Sequence, residues 1–162
     1  MLKYKIALFI GRFQPFHNGH LYSLKKCLEI ADKVTIGVGS SQESGTEDNP
    51  WNYMVRKQMV CEVIREQGIE TKVERIFSCP DYPSDAKWVG EVKRRAGEFD
   101  VVVSNNPWTI NVMKAEGYEV LEQGLYQRDE LEGVKIREMM RKGDQGWKQR
   151  VPKEIIEYTP GL

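Results

Sequence analysis

The stretch Ile6-Ala7-Leu8-Phe9-Ile10-Gly11-Arg12-Phe13-Gln14-Pro15-Phe16-His17-Asn18-Gly19-His20 decides the fold. Five consecutive apolar residues, Ile6 to Ile10, read as a strand buried on both faces, and Gly11 ends the run. Beyond it, His20 to Ala31 places Leu21, Leu24, Leu28 and Ala31 at spacings of three and four, the apolar stripe of one helix. A buried strand, a glycine-led loop and an amphipathic helix make the first half of a strand-helix-strand unit with parallel pairing.

The same alternation continues outward. Val34 to Val38 is a second apolar run, closed by Gly39-Ser40-Ser41, and Gln42 to Asn52 reads as a long polar loop. Tyr53 to Glu66 sets Val55, Met59 and Val63 on one helical face, ended by Gly68. Thr71 to Phe77 follows as a third strand, with Pro80 and Pro83 in the loop after it. Asp85 to Ala96 is a helix capped by Ser84 or Asp85 and stopped by Gly97. Phe99 to Val103 is the fourth strand, Pro107 to Glu116 a helix closed by Gly117, and Tyr118 to Leu121 the fifth strand. Helical patterns at Val134 to Lys142 and Pro152 to Tyr158 finish the chain. The expected fold class is α/β, a three-layer doubly wound parallel sheet of Rossmann-like form. Residues 1–162 read as one domain with a C-terminal helical segment from about residue 133. In such folds ligands bind beyond the carboxyl ends of the strands, so the loops that start at Gly11, Gly39, Ser78 and Ser104 map the site.

The first of these loops holds both histidines of the chain, His17 and His20, where the first helix begins. Unpaired N–H groups and the helix dipole favour an anion there. Gly11 and Gly19 allow a ligand to approach the backbone. Imidazoles can donate to phosphoryl oxygens, and Arg12 can add a bidentate clamp. A His-x-x-His spacing with no nearby Cys or third His does not make a zinc site. Taken singly, each feature also fits an ordinary surface loop; their coincidence at a strand end points to phosphate.

Composition narrows the class further. The 162 residues carry 24 Lys+Arg against 24 Asp+Glu, which lacks the basic excess of a general nucleic-acid binder. No run approaches the roughly 18 apolar residues of a membrane span, and the apolar stretch near the start is too short for a secretory leader. Cys27, Cys61 and Cys79 are odd in number and widely spaced, so neither a disulfide framework nor a metal site is expected. These features predict a cytoplasmic protein with no nucleic-acid or membrane partner.

The segment Gly11 to His20 resembles the signature of the nucleotidyltransferase superfamily, whose core is His-x-Gly-His. Its fuller form, Gly-Arg-Phe-Gln-Pro-Phe-His-x-Gly-His, is similar to that of the archaeal-type nicotinamide-mononucleotide (NMN) adenylyltransferases. The resemblance extends over nearly the whole chain. Gly37-Val38-Gly39-Ser40-Ser41-Gln42 with Asn49-Pro50-Trp51 resembles the family's second strand and substrate loop, and Arg56 falls where an arginine opens the next helix. On residue type alone Arg56 reads equally as a solvated helix charge. Asp81 and Lys87-Trp88-Val89 resemble the region that holds the nicotinamide nucleotide. Ser104-Asn105-Asn106-Pro107 resembles a turn that meets the adenine or ribose. Arg128 and Gly133-Val134-Lys135-Ile136-Arg137 resemble the late motif, with Arg137 opening its helix.

The resemblance implies transfer of AMP from ATP to NMN, releasing pyrophosphate and forming NAD. It implies catalytic roles for His17, His20 and Arg137. ATP would meet Gly11, Arg12, Phe13, Gly19, Ser104, Asn106, Arg128 and Ile136. NMN would meet Phe9, Gly39, Ser40, Asn49, Asp81 and Trp88, with the Trp88 indole stacked on the cationic pyridine. Mg²⁺ would arrive mainly on the ATP phosphates, and the chain would assemble as a homo-oligomer. Lys135 reads as a helix surface charge, and Trp51, Trp108 and Trp147 as core or interface packing. The late motif departs from the family pattern, with Glu132 and Val134 where Ser and Thr are usual. Val134 supplies no hydroxyl and Glu132 adds negative charge near the polyphosphate. Two alternatives therefore stand beside the main reading: transfer to another phosphorylated acceptor, and a nucleotide-binding sensor or assembly subunit with weakened catalysis.

Overall fold

Strand β1 (Tyr4–Gly11) runs through the middle of a five-stranded, wholly parallel sheet ordered β3-β2-β1-β4-β5. The computed structural model describes residues 2–122 and 126–162, with backbone alone over 126–131. Around β1 come α1 (Asn18–Ile30), β2 (Ala31–Gly39), α2 (Tyr53–Glu66), β3 (Val73–Cys79), α3 (Asp85–Ala96), β4 (Val101–Val103), α4 (Pro107–Ala115), β5 (Glu119–Leu121) and α5 (Tyr126–Arg141). Short 3-10 turns at Glu70–Lys72, Gln145–Gln149 and Lys153–Tyr158 complete the described elements.

The continuous apolar run of β1 divides by parity, as a two-faced strand must. Ala7 and Phe9 face a core made with α1, α2, α5 and the C-terminal turns, where Leu24, Met59, Val63, Ile136, Trp147 and Ile155 pack. Leu8 faces a second core built with α3 and α4 around Val89, Val92, Val112 and Met113. The chain winds from β1 out through β2 and β3, then returns to place β4 on the other side of β1. Sheet order therefore reverses between β1 and β4, and a crevice opens there at the carboxyl ends. The amino end of β1 is held by Asp100, whose Oδ2 accepts the Lys5 and Ile6 N–H groups at 2.9 Å each.

Several expected boundaries move. The first helix starts at Asn18, two residues early, and β2 begins at Ala31 with no loop between. The chain enters β3 only at Val73, because Glu70–Lys72 forms a 3-10 turn. Strand β4 begins at Val101; Phe99 packs into the α3/α4 core and Asp100 serves β1. The largest shift is at the C-terminal helix, which begins at Tyr126 and not near residue 133. Gly133 lies within that helix and does not interrupt it, so Arg137 sits well inside α5 instead of opening it. The segment at 152–158 is a 3-10 turn, Lys153–Tyr158. Among the described residues no helix is long and apolar enough to cross a membrane.

Candidate active site

A cleft of about 380 Å³ lies over the carboxyl ends of β1, β2, β3 and β4. One wall is cationic and hydrogen-bonding: Arg12, His17 and His20 from the β1–α1 segment, and Arg137 from α5. The opposite wall is aromatic, formed by Trp88 of α3 and Trp108 of α4. The floor is Phe9, Gly11, Gly39 and Ser40, with Asp81 at the β3 end and Ser104 and Asn106 beyond β4. Asp81 is the sole carboxylate among the described lining residues.

His17 is the N-cap of α1. Its Nδ1 accepts the N–H groups of Gly19 at 3.1 Å and His20 at 3.4 Å, while His20 Nδ1 accepts the His17 N–H at 3.2 Å. This is a capping box with imidazoles in both places. The reciprocal pattern has a chemical consequence, because a ring nitrogen that accepts carries no proton. Each neutral imidazole therefore bears its proton on Nε2. The two rings stack with centroids 3.7 Å apart, and His20 also packs against Phe13 and Phe16. Burial, helped by the charge of Arg12 and by the repulsion His17 would add if it were protonated too, holds the His20 pKa well below its ordinary value. At neutral pH His20 is an uncharged hydrogen-bond donor. The helix N-terminus differs from expectation: the Gly19 and His20 N–H groups are taken by His17 and that of Asn18 by the Arg150 carbonyl. These N–H groups are therefore already paired, and the polar groups this segment presents to the cleft are side chains.

Arg137 is 2% exposed. Its Nη1 donates to the Gln14 carbonyl at 2.8 Å, its Nη2 lies 3.4 Å from Asp48, and its buried Nε has no partner among the described residues. Gly133, one helical turn earlier, leaves it room, since a Cβ there would stand 3.2 Å from Nη1. Gln14 is itself locked, its amide exchanging two hydrogen bonds with the backbone of Trp51 at 3.0 and 3.1 Å. Asp81 is fixed by Ser40 Oγ at 3.2 Å and by Gln42 on both its carboxylate and its N–H. Cys79 lines the cleft as a thiol, its pKa pushed up to about 12 by burial and the Asp81 charge, so it is no nucleophile.

The cleft brings together His17, His20, Arg137, Gly11, Arg12, Phe13, Ser104, Asn106, Phe9, Gly39, Ser40, Asp81 and Trp88. Three expected contacts lie elsewhere. Gly19 points its N–H at His17 and lies outside the lining. Ile136 faces the α1/α2 core, because residues adjacent on a helix face different directions and Arg137 takes the cleft side. Asn49 also lies outside the lining; its Oδ1 accepts from Arg12 Nη1 at 3.4 Å. The side chain of Arg128 falls outside the described residues. The two departures in the late motif do not line the cleft: Val134 is exposed, and the Glu132 carboxylate pairs with Arg150 at 2.7 Å. Trp108, assigned only to packing from the sequence, is 44% exposed at the cleft and meets Trp88 edge-to-face at 4.7 Å. Trp88 is 4% exposed, so most of the accessible indole surface is that of Trp108.

Arg56 is the residue that the sequence weighed least well. It is fully buried, not a solvated helix charge. Its Nη1 donates to the Arg12 carbonyl at 2.8 Å and the Gly39 carbonyl at 2.7 Å; Nη2 reaches the carbonyls of Ser40 and Glu43, and Nε that of Asn52. Burial, with the charge of Arg12, lowers its pKa to about 10, which leaves it protonated at neutral pH. It ties together the loops after β1 and β2, each of which carries a non-glycine residue in the left-handed region, Phe13 at φ 54° and Ser40 at φ 45°. Gly11 serves the same turn, since a Cβ there would lie 2.7 Å from the Phe13 ring.

Removing this guanidinium leaves several buried carbonyls unpaired. Arg56→Met is expected to lower unfolding free energy by about 3–5 kcal/mol, read by denaturant titration. The lowered His20 pKa gives a second outcome with a definite sign. The unfolded chain takes up a proton near pH 6.5 while folded His20 does not, so its contribution is complete above that pH. It is lost as pH falls from about 6.5 toward the lowered folded value, at up to about 1.4 kcal/mol per pH unit. Urea unfolding at pH 7.5 and 5.5 is expected to show a steeper loss in the wild type than in His20→Asn.

Comparison with known proteins matches this architecture. The cytidylyltransferase-like family profile covers residues 8–142. The nicotinamide-nucleotide adenylyltransferase of Pyrobaculum aerophilum is 38% identical over 98% of this chain and 89% of its own length. That of Ignicoccus hospitalis is 38% identical over 96% and 91%. Among solved structures, the bifunctional NMN adenylyltransferase/ADP ribose pyrophosphatase of Francisella tularensis, complexed with AMP and a Mn ion, superposes with a TM-score of 0.71 at 24% identity. That match covers 91% of this chain and 44% of the Francisella chain, and it speaks to the fold. Strand order, cleft and near-full-length identity converge, and the chain belongs to the cytidylyltransferase-like superfamily and, within it, to the nicotinamide-nucleotide adenylyltransferases.

Proposed function

We propose that the cleft transfers AMP from MgATP to the 5′-phosphate of NMN, forming NAD and pyrophosphate. The observation that carries this reading is the facing of two unlike walls across one crevice: neutral imidazoles and guanidiniums on one side, an indole pair on the other. A polyphosphate suits the first wall and flat heterocycles the second.

The nucleophile, a phosphate oxygen of NMN, is already anionic, so the enzyme supplies placement and charge stabilisation. That oxygen attacks the α-phosphorus in line, the bond to the bridging oxygen breaks, and pyrophosphate leaves with the electron pair. His20, with its proton on Nε2, donates to the α-phosphoryl oxygen where charge concentrates. His17, stacked on it, holds its ring and donates from its own Nε2. Arg12 and Arg137 take the β- and γ-phosphates, Arg137 with its Nη2. Trp88 and Trp108 receive the heterocycles, and Asp81, braced by Ser40 and Gln42, hydrogen-bonds NMN. Ser104 and Asn106 take the adenosine side, with Asn106 also capping α4 through Thr109. Among the described residues no group of three His, Cys, Asp or Glu side chains could hold a metal ion. The divalent ion is read as part of the MgATP substrate, because Mg²⁺ keeps its waters and binds substrate phosphates, where it would neutralise the leaving group. Pairing of Glu132 with Arg150 favours an active enzyme over a sensor, since it compensates the charge that the late motif would otherwise bring toward the polyphosphate.

The test is NAD formation from MgATP and NMN, coupled to a dehydrogenase, with other phosphorylated acceptors run in parallel. The wild type is expected to form NAD, and His20→Ala to lose about 100- to 1,000-fold in kcat, the cost of one transition-state donor. Turnover with a different acceptor alone, or nucleotide binding without turnover, contradicts the proposal.

A further inference from the structure

The polyphosphate side of the cleft is already engaged by the chain itself. Three consecutive residues of the loop after β2 each meet a different guanidinium. The Glu47 carboxylate lies 3.8 Å from Arg141 Nη1, and its carbonyl accepts from the same side chain. Asp48 Oδ1 lies 3.4 Å from Arg137 Nη2, and Asn49 Oδ1 accepts from Arg12 Nη1 at 3.4 Å. The pairing at Arg137 is lopsided. The arginine side chain is 2% exposed, whereas the Asp48 side chain is 75% exposed and reaches it from solvent. Long, solvent-facing ion pairs of this kind are weak and exchangeable. The Arg137 Nε is buried without a partner among the described residues, so this guanidinium is under-satisfied as it stands. Arg12 and Arg141 both lie close enough to Arg137 to repel its charge, and a counter-charge relieves that repulsion while no nucleotide is bound.

We infer that Asp48 is an internal counter-ion for the triphosphate site: it occupies Arg137 in the empty enzyme, competes there with the polyphosphate of ATP, and so sets the affinity for ATP. The inference rests on the assignment of Arg137 to the ATP phosphates. It predicts that removing a charged residue from the edge of the site tightens substrate binding. Losing the competitor, together with its repulsion of an incoming anion, corresponds to about two- to tenfold in KM.

The experiment uses the full chain, steady-state turnover at saturating NMN with MgATP varied, and the variants Asp48→Asn, Asp48→Ala and Glu47→Gln. Both Asp48 variants are expected to lower KM for ATP by about two- to tenfold, with KM for NMN unchanged and the gain shrinking as salt is raised. Glu47→Gln, whose partner Arg141 does not line the cleft, is expected to leave KM for ATP within about twofold. An unchanged or raised KM for ATP in Asp48→Asn overturns the inference, because the carboxylate would then be holding Arg137 in place for the substrate. Calorimetric titration with inorganic tripolyphosphate separates this from the reading of the reaction. If the wild type makes no NAD, the proposed reaction fails, while tighter tripolyphosphate binding by Asp48→Asn still upholds the competition and unchanged binding refutes it.

Discussion

The guanidinium of Arg56 is the constraint on which the rest of the site depends. A buried cation is costly, and Arg56, which has no salt-bridge partner among the described residues, persists because five backbone carbonyls surround it. Those carbonyls come from the two loops that form the floor of the cleft. Phe13 and Ser40 sit in left-handed conformations that cost about 1–3 kcal/mol each for side-chain-bearing residues. Arg56 offsets that strain by giving the carbonyls beside them, those of Arg12, Gly39 and Ser40, a charged donor. The histidine–arginine wall therefore inherits its geometry from a residue that lies behind it.

The sheet order explains why the two walls differ in chemistry. Elements on one face of the sheet deliver His17, His20 and Arg137, and elements on the other deliver Trp88 and Trp108. The proposed substrates, each with an anionic end and an aromatic end, would span the crevice between them. The imidazoles act as neutral donors, because mutual capping removes Nδ1 from use and burial suppresses protonation of His20. Positive charge comes instead from arginines, which keep it under burial. In the proposed reaction the labour divides accordingly: the imidazoles would direct hydrogen bonds to the oxygens on the reacting phosphorus and the guanidiniums would neutralise the leaving group.

Much of the fold was legible because its signals are periodic and local. The helices over Tyr53–Glu66 and Asp85–Ala96 start and stop where caps and glycines place them. The strands announced themselves as short apolar runs. Gly133 misled, since a glycine reads as a boundary, whereas here it thins the helix beside the Arg137 guanidinium. The candidate site was legible where a local motif carried it, in the segment from Gly11 to His20. It was not legible where function depends on direction. Ile136 and Arg137 are neighbours in sequence but face core and cleft, and Gly19 belongs to the motif yet spends its N–H on His17. Arg56 could be read as a surface charge because nothing local reveals that the carbonyls of residues 12, 39, 40 and 43 will converge on it. Trp108 follows a helix-capping turn, and its exposure depends on how α3 packs beside α4.

The proposed reaction requires that ligands lie with phosphates on the histidine–arginine wall and a heterocycle on the indole wall. A crystal structure with NMN and a non-hydrolysable ATP analogue tests it most directly. The α-phosphoryl oxygen is expected within hydrogen-bonding reach of His20 Nε2, Arg137 on the β- and γ-phosphates, and the pyridine ring against the Trp88–Trp108 pair. Phosphates bound away from both histidines, or a pyridine ring seated away from the two indoles, would contradict it.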